Sequence, residues 1–472
     1  MSICEKLIGL AALGLTCVVP GTMLPATSSA ATVESYVIDA AFVPAEGRMR
    51  AIADVRFVPG SVTGDTLVFF LHGELRVDSV VTAGSRIDAS QNLVFHKDDY
   101  SLVGNRVEVA TRQLGLSASL RIAYSGYFHP SVVSAISNYM RIDGDGVYLR
   151  SLGYSLWFPV FVKSWRDSHD ASFPVVTLRT PADFSAVFAG NRVREYQEGG
   201  LRVSEWAADR MNLFDAQCTA RRFDVLTEDG FHLYHVRDSS ARQMAGRIMA
   251  FTRRLESLCR TNYRRGVVVA QLHIMQMPRY GDISSGNVIG ISDAVWHQFK
   301  ATAWQGRTVA HELVHRFVRV PCTDDMGAFV IEGFPSYFHL PVLAEILGEQ
   351  WYGDYLENVE LSYARKRETG KDRRGDSLPL EKPILEIGYD EIGEYKDRFI
   401  LQDRVALFFD FLRRRMGKEG FLRFSSDVLN RELLDYDLFV AVVESHLPGS
   451  GEEVRRWLKT TEYPVDLRAD GS

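Results

Sequence analysis

Apolar and polar residues alternate in short runs through the first half of the chain. Between residues 35 and about 237, apolar side chains recur at every second position, as at Val107 and Val109. This spacing places the apolar side chains of a strand on one face. Turn-forming residues separate the runs, for example the DGDG segment at 143–146. The pattern predicts an antiparallel, sandwich-like β domain.

The spacing of apolar residues changes to that of a helix after Asp238, a residue type suited to cap a helix N-terminus. A long amphipathic helix is predicted there, because apolar residues follow at intervals of three and four, namely Met244, Ile248, Phe251, Leu255 and Leu258. A compact apolar strand is predicted over 267–275, and further helices over 399–415 and 435–446.

The chain divides into three parts on this pattern. Residues 1–30 are predicted to be a secretory signal peptide, because Lys6 precedes an apolar stretch, Leu7 to Val19, that is too short to span a bilayer comfortably. The mature protein is then secreted or periplasmic, and a membrane anchor formed by the uncleaved segment is the alternative. A β domain over 31–237 and a mixed domain over 238–472 complete an α+β organisation.

Composition narrows the range of partners. The chain has 472 residues, 46% of them hydrophobic and 24% charged, as expected of a globular protein. With a net charge of −6 and no long basic block, nucleic acid is not an expected partner. Beyond the signal, no stretch is long and apolar enough for a membrane helix. Cys218, Cys259 and Cys322 allow at most one disulfide, whose pairing is open.

The most informative motif is HELVH over residues 311–315. His311 and His315, four apart on a helix, share one face and can hold one Zn²⁺ through ring nitrogens. Glu312 lies beside them, where a carboxylate can take the proton of an attacking water. The surrounding residues are apolar nearly all round, which predicts a buried helix whose histidines need partners.

A third ligand is expected for a catalytic zinc, and Glu332 is the candidate. It precedes Gly333 and Pro335, and proline is tolerated only in the first turn of a helix. A new helix is therefore predicted to start near Gly333, with Glu332 at its entrance. The alternative is that Glu332 is simply an acid favoured at a helix start.

These residues resemble the aminopeptidase N-like gluzincin metallopeptidases. That family carries HExxH and, further on, a glutamate in an E-G-F-A-x-Y pattern; this chain has EGFPSY at 332–337, after a spacer two residues shorter than usual. The resemblance implies a thermolysin-like catalytic domain after the β domain. It also implies one zinc held by His311, His315 and Glu332, with Glu312 as general base.

One departure concerns substrate binding. The exopeptidases of the family carry a G-x-M-E-N segment whose glutamate binds the substrate's free α-amine. Here the corresponding residues are Gly286 and Asn287, and Gly286 stands in the glutamate's place. A glycine cannot pair with an ammonium group, so exopeptidase specificity is not expected. Asp282 and Asp293 are nearby acids that could substitute.

The family also uses a tyrosine to donate a hydrogen bond to the tetrahedral oxyanion. Tyr395 is the first candidate by resemblance, and Tyr389 is the second. The leading functional prediction is a zinc peptidase acting on a peptide or protein substrate. A glycyl-aminopeptidase-like peptidase is an alternative, as is a binding protein that keeps the fold with little or no turnover.

Overall fold

The structure is a computed structural model, and it describes most of the chain after residue 30. The described residues are 31–96, 102–114, 119–128, 140–149, 157–161, 170–263, 271–278, 283–318, 320–371, 375, 377–378, 381–388 and 400–462. The predicted signal peptide lies outside them, as do Asp282, Tyr389 and Tyr395.

Strands dominate the first part of the chain, where they form three sheets. Their order is β13-β14-β11-β1-β2-β8-β4-β5 in the largest sheet, β12-β15-β10-β9 in the second and β3-β7-β6 in the third. The strands are β1 (Val33–Val43), β2 (Arg48–Phe57), β3 (Thr66–His72), β4 (Leu75–Thr82), β5 (Ser85–Ile87), β6 (Ala89–His96), β7 (Leu102–Ala110), β8 (Ser119–Tyr127), β9 (Met140–Asp143), β10 (Gly146–Leu149), β11 (Asp170–Pro181), β12 (Ser185–Phe188), β13 (Asn191–Glu198), β14 (Leu201–Asn212) and β15 (Cys218–Arg221).

The alternating pattern of the sequence corresponds to burial in these sheets. On β1, Tyr36, Ile38 and Ala40 are fully buried while their neighbours along the strand are more exposed. Val107 and Val109 are likewise buried on β7. Most strand pairs are antiparallel, but β1 and β11 run parallel. The sheets therefore enclose a core of the sandwich type predicted.

A fourth sheet lies in the second part of the chain, with the strand order β16-β17-β18-β20-β19. Its members are β16 (Phe223–Glu228), β17 (Phe231–Val236), β18 (Leu272–Met277), β19 (Ile283–Ser285) and β20 (Val288–Ser292). The hairpin of β16 and β17 thus belongs to this sheet, although it precedes residue 237, because β17 pairs with β18 in parallel. The domain boundary at 237 itself stays a prediction.

Both faces of this sheet are covered. Leu233, Ile274 and Ile289 face the helices and join their core. The residues that follow or precede them, such as Tyr234 and Met275, face the first part of the chain and join its core. The sheet therefore lies between the two hydrophobic cores of the molecule.

Helices make up most of the remaining chain. They are α1 (Ser239–Asn262), α2 (Asp293–His297), α3 (Trp304–Val318), α4 (Phe334–Leu347), α5 (Glu349–Thr369), α6 (Val405–Leu429), α7 (Tyr436–His446) and α8 (Gly451–Lys459), with π-helical turns at Phe329–Gly333 and Ile400–Arg404. The predicted cap is present, because the side chain of Asp238 accepts a hydrogen bond from the backbone of Ala241 at 2.8 Å. The predicted α+β organisation, rich in strands first and in helices later, is confirmed.

Helix α4 is the central helix of the second core. Nearly all of its first three turns are buried, and it packs against α3, α5 and α6. Gly333, just before it, permits close packing, because a Cβ there would come within 3.1 Å of Val405. Among the described residues, no helix is both long enough and apolar enough to cross a membrane.

Candidate metal centre

Helix α3 presents the two histidines of the HELVH motif side by side. Its other faces are occupied by buried apolar residues, including Val309, Leu313 and Phe317. The Nε2 atoms of His311 and His315 lie 3.2 Å apart, and the two rings meet edge to face at 85°. A pair of nitrogens at this separation is suited to bind one metal ion.

Glu332 completes a set of three donors. Its Oε2 lies 3.6 Å from Nε2 of His311, and the donor atoms of all three residues lie within 4.8 Å of one another. Atoms bound tetrahedrally to one zinc at its usual bond lengths are separated by about 3.3 Å. Two imidazole nitrogens and one carboxylate oxygen are a common donor set of catalytic zinc. The residues present therefore fit a zinc ion.

The local structure at Glu332 differs from the prediction. Glu332 does not lie at the entrance of a new helix but within a π-helical turn, Phe329–Gly333, that leads directly into α4. Pro335 lacks an N–H group and cannot complete a regular helical turn with the carbonyl of residue 331. The hydroxyl of Ser336 donates instead to the carbonyl of Glu332 at 2.6 Å. Single π-helical turns inside helices are frequent at functional sites.

Glu312 follows the first histidine of the pair and is 8% exposed. On α3 it comes one residue after His311 and three residues before His315, the two histidines of the donor cluster. A buried carboxylate beside a metal site is available as a proton acceptor.

His339 is a neighbour of the site that the sequence analysis missed. It lies on α4, and its ring meets that of His311 edge to face, with centroids 5.7 Å apart. Its Nδ1 lies 2.7 Å from the carbonyl of Pro335, which can only accept, so Nδ1 is the donor. Burial holds the pKa of His339 well below its usual range, and the nearby His311 adds to the effect. The only signal in the sequence is that His339 follows Glu332 by two helical turns.

The predicted substrate-binding residues lie at the junction with the first part of the chain. Gly286 has φ +55° in the turn between β19 and β20, and a Cβ there would come within 3.3 Å of Ala189. The amide of Asn287 donates to the carbonyls of Gly190 at 2.9 Å and Gln271 at 3.0 Å. Asn287 thus joins the two parts of the chain, and the role of both residues in substrate binding stays a prediction.

The structure also gives the positions of other residues considered in the sequence analysis. Asp293, in the first turn of α2, accepts a hydrogen bond from Gln276 at 2.8 Å. Tyr337, the last residue of the EGFPSY segment, is fully buried, and its hydroxyl is 2.8 Å from that of Tyr352. Both oxyanion candidates and Asp282 lie outside the described residues. The three described cysteines, Cys218, Cys259 and Cys322, are free thiols.

Comparisons with known proteins show a likeness of fold. The sequence matches no protein-family model and no curated protein. The structure is similar to that of an M1 zinc metallopeptidase from Deinococcus radiodurans, with a TM-score of 0.64 and 16% identity over 92% of this chain and 95% of that one.

A mutant of an M1 zinc metallopeptidase from Deinococcus radiodurans, bound to a Tyr-Ser-Ala substrate, gives a TM-score of 0.66 at 16% identity, over 92% of this chain and 95% of that one. Native yeast LTA4 hydrolase also gives 0.66, at 14% identity, over 92% of this chain and 69% of that one. Identities this low establish the fold alone. The chain has the two-domain fold seen in M1 zinc metallopeptidases.

Proposed function

We propose that this protein is a zinc metallopeptidase that hydrolyses peptide bonds in a peptide or protein substrate, with one zinc held by His311, His315 and Glu332. The observation that carries the proposal is the convergence of these three donors from α3 and the π-helical turn, within 4.8 Å of one another. The likeness of fold to M1 zinc metallopeptidases supports it.

Each residue has a separate chemical task in this proposal. Zinc, when bound, polarises the scissile carbonyl and makes water a better nucleophile at neutral pH. Glu312 accepts the proton of the attacking water and passes it to the leaving amine. Tyr395, or Tyr389 in its place, donates a hydrogen bond to the oxyanion as negative charge develops there.

The proposal favours cleavage that does not require a free N-terminus. Gly286 supplies no carboxylate for an α-amine, and its α-carbon faces Ala189 of the first domain. We also propose that the protein acts after export, with residues 1–30 removed as a signal peptide. N-terminal sequencing of the mature protein tests this part separately.

Digestion of a peptide library tests the function. Purified protein is incubated with the library, with and without a chelator, and the chelated sample is then supplied with zinc. We expect cleavage that the chelator abolishes and zinc restores. Absence of cleavage by protein that contains zinc would instead favour the alternative of a binding protein with this fold.

A further inference from the structure

Arg307 lies on α3 one helical turn before His311. Residues four apart share a helix face, so Arg307 and His311 lie on the same side of α3, about 6 Å apart along its axis. The guanidinium carbon of Arg307 is 4.5 Å from the ring centroid of Tyr355 on α5. Tyr355 in turn stacks on Trp351, with planes at 7° and centroids 5.7 Å apart. The aromatic pair fixes the position of the cation.

The charge of Arg307 has no anionic partner within the described part of the chain. Arginines elsewhere in the same helical region have one: Arg413 pairs with Glu349 at 3.1 Å, and Arg414 pairs with Asp410 at 2.6 Å. The guanidinium of Arg307 lies over the face of the Tyr355 ring, and this stacking leaves the N–H donors at the edge of the guanidinium available. An arginine held by stacking is a frequent arrangement for binding carboxylates.

The guanidinium of Arg307 belongs to the same helix face as a donor of the candidate metal centre. Arg307 and His311 lie on one face of α3, one helical turn apart, and His311 is one of the three candidate metal donors. An extended peptide advances about 3.3 Å per residue, so a carboxylate at Arg307 would belong to a residue roughly two or three positions from the scissile bond.

We propose that Arg307, held against Tyr355, forms a subsite that binds a carboxylate of the substrate. The carboxylate is either an acidic side chain or the C-terminal carboxylate of a short peptide, since both present the same group. This proposal rests on the proposed function for the location of the scissile bond, but binding of the carboxylate does not require catalysis.

Binding of four matched peptides tests the subsite without turnover. They share one sequence, and they carry either Glu or Gln three residues after its central bond and either a free or an amidated C-terminus. Calorimetric titration into the zinc-loaded Glu312→Gln protein gives the affinities. We expect a carboxylate to raise affinity roughly 10- to 100-fold, as for a hydrogen bond to a charged group. The Glu/Gln pair and the acid/amide pair show which source is used.

Two further variants in the Glu312→Gln background test whether the preference for carboxylate peptides requires Arg307. Arg307→Met is expected to abolish the difference between carboxylate and amide peptides, and Tyr355→Leu to reduce it. Arg254→Met is the matched control, because it removes an exposed arginine from α1 and should leave the preference unchanged. Thermal unfolding checks that each variant is folded.

The outcomes separate this subsite from the proposed function. A preference that requires Arg307, in a protein that cleaves none of the peptides, supports the subsite and contradicts the peptidase. Cleavage by the wild-type protein with equal affinity for all four peptides overturns the subsite alone. Failure of every peptide to bind, or equal loss of affinity for all peptides in Arg307→Met, also overturns it.

Discussion

Two glutamates lie beside the paired histidines, and their surroundings suit different tasks. Glu332 comes from the π-helical turn and points an oxygen towards His311. Glu312 is on the same helix as the histidines and is largely buried. Glu332 is placed to bind a metal ion, and Glu312 can accept and release a proton without binding the metal.

Exchange of Glu312 for glutamine separates these tasks. Glu312→Gln keeps the size and polarity of the side chain but cannot accept a proton. We expect zinc to stay bound and peptide hydrolysis to fall by roughly 10²–10⁴-fold, the usual contribution of a general base. Zinc content and kcat/KM, measured in parallel on the wild type and Glu312→Gln, test this expectation. Turnover close to that of the wild type would mean that another group serves as the base.

The absence of a carboxylate at Gly286 leads to a prediction about specificity. Without an acid to bind the α-amine, an N-terminal residue gains no binding energy over an internal one. We therefore expect one peptide to be cleaved at least as well when acetylated as when free. Mass spectrometry of the two digests is the measurement. Stepwise release of single residues from the free peptide alone would contradict this and implicate Asp282 or Asp293.

At the scale of elements, helix α8 is attached to the second core by a buried arginine. Arg404 is fully buried, and burial lowers its pKa. It donates to the carbonyls of Trp457 at 2.8 Å and Glu462 at 3.2 Å, and it pairs with Glu381 at 3.2 Å. These carbonyls belong to the end of α8 and the residues after it, so one side chain donates to several acceptors at this helix end.

Arg404→Met is expected to lower the free energy of unfolding by about 3 kcal/mol or more, because it removes several hydrogen bonds and an ion pair of a buried charged donor. Arg415→Met is the matched control. Arg415 also joins α6 to α8, but through a partly exposed ion pair with Glu453 at 3.4 Å, whose loss should cost less than about 1 kcal/mol. Urea unfolding of both variants gives the comparison. Equal, small losses would show that Arg404 does not anchor α8.

The elements differ in how far the sequence predicts them. Helix α3 was predictable, because the residues around HELVH are apolar nearly all round, as in a buried helix. The π-helical turn at Glu332 was not, because Pro335 indicates the start of a helix but does not specify the conformation of the residues before it. The hairpin of β16 and β17 reads as two short strands like those before it, and the sequence of a strand does not show which sheet it joins.

The residues of the candidate site also differ in how far the sequence predicts them. His311, His315 and Glu332 were candidates because their spacing carries chemical meaning within a single stretch of chain. His339 and Arg307 were missed, because their importance comes from contacts with His311 and Tyr355 on other helices. Contacts between elements leave no periodic pattern in the sequence.

On the scale of the whole molecule, a buried histidine pair lies between the two hydrophobic cores. His273 on β18 is fully buried and stacks on His232, with ring centroids 5.0 Å apart. Its Nδ1 lies 3.1 Å from the hydroxyl of Tyr234, and Trp206 of β14 packs against its ring. Burial, with His232 as a smaller cause, holds the pKa of His273 well below its usual range.

This pair makes stability depend on pH. The unfolded chain takes up a proton at residue 273 below about pH 6.5, whereas the folded protein does not. The free energy of unfolding should therefore fall as the pH drops below 6.5, by up to about 1.4 kcal/mol per pH unit for this group. Urea unfolding at pH 7.5 and 5.5 should show a smaller difference in His273→Gln than in wild type. Identical differences in the two proteins would contradict this assignment.

The zinc content of the purified protein is the most direct measurement of all. Elemental analysis should find one zinc per chain in the wild type and in Glu312→Gln. It should find a strong loss in His311→Ala, His315→Ala and Glu332→Ala, each checked for folding by circular dichroism. A wild-type protein that binds no zinc when the metal is supplied, or a Glu332→Ala protein that retains it fully, would contradict the metal centre proposed for this chain.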